Sequence, residues 1–234
     1  MNSIFKQLLA GIAILILTAC GGGESKTKVQ DNGLTKDINE LVPEAILEKM
    51  LSLGMPINRG GTPPDMEGIY EAQPLILLAS SRGDDQIGTK YGDMHVKFHN
   101  QNNKKLEILV SFNQSNQSNH SNHVLGDGIG SFIVGTGNKF TIFSKIENNN
   151  PDGEKYTSVQ LYSGTITDNG IIDYYLGFVM LDNKGEKLLI ENGDGRVLYD
   201  SDGISGRIDS LDFKLVKNKQ NKLIGSYKSI SSSQ

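Results

Sequence analysis

Met94-His95-Val96-Lys97-Phe98-His99 alternates strictly between apolar and polar side chains. Successive side chains of an extended chain point to opposite faces, so this stretch predicts a β-strand with one buried face. Four apolar residues repeat the alternation along the next segment: Leu106, Ile108, Val110 and Phe112. The two stretches therefore predict neighbouring strands of one sheet.

Further strand-like runs lie on both sides of this pair, at residues 69–79, 131–135, 140–146, 156–167, 171–181, 187–190, 196–199 and 212–216. Short polar breaks separate most of them, for example Gly137-Asn138 and Asp168-Asn169-Gly170, and such breaks favour hairpins. Consecutive hairpins give an antiparallel meander, and about eight to ten strands lose their exposed edges by closing. We predict a mainly β fold, an antiparallel up-and-down β-barrel, over residues 56–234.

A helical pattern precedes the strands, over residues 37–55. Seven apolar residues recur there at steps of three and four: Ile38, Leu41, Val42, Ala45, Ile46, Met50 and Leu53. Pro43-Glu44 suits a first helical turn, and Gly54 before Pro56 suits a stop. We predict a short N-terminal helix that packs on the domain's own core and plugs or flanks one end, starting at Asp37 or at Val42.

The first residues have the layout of an export signal. Lys6 precedes an apolar run over 8–17, and small residues lead to Cys20, the single cysteine. The stretch Leu17-Thr18-Ala19-Cys20 resembles the lipobox of bacterial lipoproteins, which implies a signal peptide over 1–19 and a palmitate-type lipid on Cys20. Glycine after the cysteine implies an outer-membrane destination in the cell envelope. It does not indicate whether the protein faces the periplasm or the cell surface. Residues 20–36 are glycine-rich and polar, which predicts a flexible tether.

A second resemblance concerns the start of the first strand. Gly68-Ile69-Tyr70 is similar to the Gly-x-Trp opening of lipocalins and their calycin relatives, with tyrosine in place of tryptophan. In that family a late basic residue packs on the aromatic ring, and Arg207, Lys214 or Lys217 could serve here. The resemblance implies a lipocalin-like barrel.

Charge and motifs narrow the classes of function. The chain carries 23 basic and 27 acidic residues, and removal of Lys6 with the signal takes the net charge from -4 to -5. Without a basic arm, nucleic acid is not an expected partner. Asp194, Asp200 and Asp202 lie beside glycines, as in calcium loops, but two aspartate-glycine turns explain the same residues and we predict no metal. No phosphate loop or nucleophile motif appears, so we predict neither a cofactor nor an enzyme.

The leading hypothesis is a lipid-anchored envelope protein that binds a small apolar or amphipathic ligand in the barrel lumen. Five residues are expected to line that lumen: Tyr70, Phe98, Phe112, Phe178 and Met180. The alternative is an envelope or surface interaction subunit with a solid core, which binds a protein partner through exposed loops or barrel faces, with the loop 113–122 and the acidic surface as candidate contacts. A hydrolase is the third and least favoured class.

Overall fold

The computed structural model describes residues 26–115, 123–149, 155–187 and 189–209. Its two helices are α1 (Lys36–Leu41) and α2 (Glu44–Ser52). Its strands are β1 (Gly61–Thr62), β2 (Gly68–Ala72), β3 (Leu75–Ser80), β4 (Met94–Asn102), β5 (Glu107–Ser115), β6 (His123–Thr136), β7 (Lys139–Asn149), β8 (Lys155–Thr167), β9 (Gly170–Asp182), β10 (Gly195–Asp200) and β11 (Ile204–Ile208).

All of these strands belong to one sheet. From β4 to β9 each strand pairs antiparallel with the next, as consecutive hairpins predict. Strand β11 pairs with β9 on one side and with β2 on the other, and β2 pairs with β4, so the sheet closes into a ring. Only the two-residue pairing of β1 with β6 is parallel among the described strands. The prediction of a mainly β, antiparallel fold is confirmed.

Two pairs of strands lie in line along the seam of the ring. β10 pairs with residues 175–179 of β9, whereas β11 pairs with residues 170–172 of the same strand. Likewise β3 pairs with β10 and β2 pairs with β11. The free edge of β3 is covered by the loop of residues 81–93, because Leu77 and Tyr91 donate backbone hydrogen bonds across it. None of the described strands fills that position, and this loop forms the wall there.

The ring encloses one apolar core and carries a second on its outer face. Inward side chains alternate along each strand, as in Met94, Val96 and Phe98, and are buried. The outer cluster joins both helices to β6–β10 and includes Ile38, Met50, Phe143, Leu161 and Val179. The helices thus pack on the domain's own core, as predicted, but they cover the side of the ring instead of one end.

The sequence predictions for single elements need four corrections. The helical segment 37–55 is two helices, because Val42 precedes Pro43 and takes an extended conformation (φ -120°, ψ 94°). The tether does not extend to residue 36, since Leu34 and Thr35 are fully buried. Residues 187–190 are not a strand where described, and the predicted strand 69–79 is divided at Gln73-Pro74. The predicted strand 212–216 lies outside the described residues.

Candidate functional site

The middle of the ring is packed solid with aromatic side chains. The Phe98 ring lies 5.9 Å from the ring of Tyr70, 6.4 Å from that of Phe140 and 5.5 Å from that of Tyr162, centroid to centroid. The Tyr70 hydroxyl donates a hydrogen bond to the carbonyl of Met66 at 3.2 Å. All of these residues are fully buried. Tyr70 and Phe98, predicted to line a ligand site, are therefore core residues.

A cavity of about 130 Å³ remains in the ring, in the half where β5 and β8 face the 81–93 loop. It is lined by four aromatic residues, two leucines and three polar residues: Tyr91, Phe112, Tyr156, Phe178, Leu176, Leu198, Gln114, Gln160 and Arg196. Strand alternation places these residues there, because Phe112 continues the inward row of β5 and Phe178 that of β9. The cavity therefore combines an apolar wall with a few polar groups.

Arg196 supplies the positive charge of the cavity, and Asp85 in the 81–93 loop holds its guanidinium in place. Its Nε and Nη2 atoms donate to the two carboxylate oxygens of Asp85, each at 2.7 Å. Its guanidinium also lies 5.9 Å from the centre of the Tyr91 ring. The hydrogen bond from Arg196 lowers the pKa of Asp85, and burial raises the pKa of Tyr91. This geometry leaves Nη1 of Arg196 as the guanidinium nitrogen without a hydrogen bond to a described residue.

The remaining polar groups are held by bonds within the wall. The Gln114 side-chain amide donates to the carbonyl of Gly92 at 3.2 Å, and Gln160 accepts from the Tyr162 hydroxyl at 2.5 Å. Tyr156 packs edge-on against Phe178 with ring centroids 6.2 Å apart. Burial raises the pKa of Tyr156 to about 12, so its hydroxyl is neutral at physiological pH.

The five predicted lumen residues thus separate into three groups. Phe112 and Phe178 line the cavity, while Tyr70 and Phe98 fill the solid middle. Met180 is buried on β9 but does not line the cavity. Sequence reasoning missed the other seven residues of the lining, including Tyr91, Tyr156 and Arg196. Tyr156 lies two residues before Ser158, Gln160 and Tyr162, which alternate along the inward face of β8. That spacing could have predicted that Tyr156 faces the inside of the ring.

The three aspartates considered for calcium do not form one cluster, although Asp202 lies near Asp200. Asp194 accepts a hydrogen bond from Ser81 and lies 3.7 Å from the Arg82 guanidinium. Asp200 accepts from the Ser205 hydroxyl at 2.7 Å, and burial, with Asp202 nearby, raises the pKa of Asp200. Among the described residues, no three His, Cys, Asp or Glu side chains meet as a metal site would require.

Arg207 lies beside the Gly68-Ile69-Tyr70 stretch. It is the register partner of Tyr70, and its Nη2 donates to the Glu67 carbonyl at 2.8 Å. A Cβ atom on Gly68 would stand 3.2 Å from the guanidinium carbon, so the guanidinium packs on this glycine. Lys214 and Lys217, the other two candidates, lie outside the described residues, as does Cys20.

Comparison with known proteins gives no relative for this chain. No protein-family model, no curated protein and no solved structure matches it. Within the described ranges, neither helix is long and apolar enough to cross a membrane.

Proposed function

We propose that this chain is a lipid-anchored protein of the cell envelope, a lipocalin-like barrel that takes one small amphipathic ligand into the cavity beside Arg196. The lipobox at Leu17-Thr18-Ala19-Cys20 supports the anchor, and Gly21 after the cysteine supports an outer-membrane location. Closure of the strands into a ring, with Arg207 against Gly68, supports the lipocalin-like barrel. The cavity between Phe112, Phe178 and Arg196 carries the proposal of ligand binding.

The cavity limits the size of the ligand. A volume of about 130 Å³ equals roughly four water molecules at about 30 Å³ each, and an apolar cavity of about 150 Å³ can hold benzene. Many small-molecule sites measure about 300 Å³ or more, so only one ring or a short alkyl group enters here. Nη1 of Arg196 has no hydrogen bond to a described residue, which favours an acceptor oxygen on the same ligand. The ligand class is therefore a small apolar group that carries an oxygen.

Native mass spectrometry of the full chain, purified from its host, tests this function. We expect a non-covalent adduct that is lost on denaturation, and an intact mass that starts at Cys20 and includes its lipid. Leu176→Phe should reduce the adduct by filling the cavity, whereas Leu109→Phe adds the same atoms at an exposed position and should not. A bare chain, or equal adducts in both variants, would contradict ligand binding in the ring.

The solid middle of the ring favours a second candidate function. Tyr70, Phe98 and Tyr162 fill space that a larger ligand would need, which favours a packed scaffold that binds an envelope protein. The polar loop considered for this role begins with Asn113–Ser115 in β5, and residues 116–122 lie outside the described ranges. Cross-linking in host cells should then recover one partner in stoichiometric amount, and recovery of none would count against it.

A further inference from the structure

A second cavity, of about 240 Å³, lies on the outside of the ring. Its lining includes Pro56, Asn58, Lys139, Thr165, Asp173 and Tyr175. It is separate from the cavity at Arg196, since the two share no lining residue. The volume equals about eight water molecules at about 30 Å³ each, which suits one compact polar molecule.

An irregularity in the sheet shapes this cavity. Ser163 pairs with Tyr175 and Thr165 pairs with Ile172, so Gly164 faces the two residues Asp173 and Tyr174. Asp173 takes a left-handed conformation (φ 51°) and is exposed, while Tyr174 is buried inside the ring. A Cβ atom on Gly164 would stand 2.6 Å from Ile171 Cγ2, so this glycine permits the close approach. The bulge thereby turns Asp173 away from the core.

Asn58 presents a fixed acceptor to the cavity. Its backbone N–H donates to Thr141 Oγ1 at 2.8 Å. Its side-chain nitrogen donates to the Phe140 carbonyl at 2.9 Å and to Ser163 Oγ at 3.0 Å. Both amide protons are used, which leaves Oδ1 as the group available to a ligand. Because three bonds hold the residue, little side-chain entropy is lost when a ligand binds.

Two opposite charges line the cavity without neutralising each other. Lys139 and Asp173 are exposed and form no ion pair within 4.0 Å, with each other or with another described residue. Tyr175 contributes a half-buried ring, 6.5 Å from the ring of Tyr199. The cavity thus offers a strong donor, a strong acceptor, an amide oxygen and the side of an aromatic ring.

We propose that this outer cavity binds a neutral sugar ring. Sugar hydroxyls both donate and accept, so they can satisfy Asp173 and Asn58 Oδ1 as acceptors and Lys139 as a donor. The C–H face of the sugar can pack on the apolar body of Tyr175. A simple anion would leave Asp173 repelled, and a simple cation would leave Lys139 repelled, whereas a neutral polyol meets both charges.

Saturation-transfer NMR with the full chain tests the site, with glucose, galactose, mannose and N-acetylglucosamine as probes and glycine and phosphate as competitors. We expect at least one sugar to bind, and Asp173→Asn to weaken it about tenfold through loss of a charged hydrogen bond. Asparagine also tolerates the left-handed conformation, so the variant should fold. Tyr175→Leu should weaken the same sugar.

Asp168→Asn is the matched control for Asp173→Asn, and Lys145→Gln is a second control that removes a charge elsewhere, because both residues are exposed and line neither cavity. They should leave sugar affinity unchanged. Absence of binding by all four sugars at about 10 mM, ten times a Kd of about 1 mM, would overturn the proposal. Binding that Asp173→Asn and Tyr175→Leu do not alter, or displacement by glycine or phosphate alone, would also overturn it.

Discussion

Replacing Phe98 by alanine tests whether the middle of the ring is a solid core. Phe98 has no exposed surface and contacts the rings of Tyr70, Phe140 and Tyr162. Truncation of a buried phenylalanine costs about 3–5 kcal/mol through lost burial and the residual void. Three aromatic pairs at about 0.5–1.5 kcal/mol each place the expected loss towards the upper end of that range.

Urea unfolding followed by circular dichroism measures this loss. With a slope of about 2 kcal/mol per molar urea, a loss of about 4 kcal/mol lowers the midpoint by about 2 M. Phe98→Leu keeps most of the volume and should lose less than half as much. The slope itself should not change, because the surface exposed on unfolding is nearly the same.

A small effect would refute the reasoning. If Phe98→Ala costs about 1 kcal/mol or less, as surface substitutions do, the ring is not packed at this level. A loss that disappears when the host's small molecules are removed would instead indicate that Phe98 contacts a ligand, as the sequence alone had suggested.

Two further predictions concern the loop of residues 81–93. Asp85→Asn should be less stable than the wild type above pH 4, because Arg196 lowers the pKa of Asp85 below its usual value of 3.8. The urea midpoints of the variant and the wild type should converge as the pH falls through that lowered pKa, since Asp85 then becomes protonated. Equal pH profiles would show that the ion pair contributes nothing. Gly92→Ala should cost about 1–3 kcal/mol in urea unfolding, since its Cβ would stand 1.7 Å from the Ser115 carbonyl oxygen. Gly83→Ala, whose Cβ meets nothing within 4 Å, is the control, and equal losses would contradict the close contact.

The long strands could be predicted because their alternation is strong and local. Residues 94–99 and 156–167 belong to β4 and β8, with apolar side chains such as Phe98 and Leu161 buried on one face or the other. Strand β11 was missed, because Ile204-Ser205-Gly206-Arg207-Ile208 has three glycine or polar residues between its isoleucines and no apolar alternation. Only its partners, β2 and β9, reveal it as the strand that closes the ring.

The candidate site was predictable only in part. Alternation places Phe112 and Phe178 inside the ring, but it does not distinguish a side chain that fills the core from one beside a cavity. That distinction depends on how side chains from different strands pack together inside each half of the ring. Tyr91 in the 81–93 loop contacts Arg196 in β10, about a hundred residues later in the chain. A local sequence pattern cannot predict such a contact.

The position of β11 also determines when the protein can fold. Strand β11 joins β2, which was made more than a hundred residues earlier, so the ring cannot close until residue 208 has left the ribosome. Until then β2 and the first residues of β9 each lack β11, the strand that lies between them. Such long-range pairing is formed slowly, because the entropy of closing the loop must be lost before the contacts are gained. In a nascent chain of this protein the ring therefore stays open for most of the synthesis.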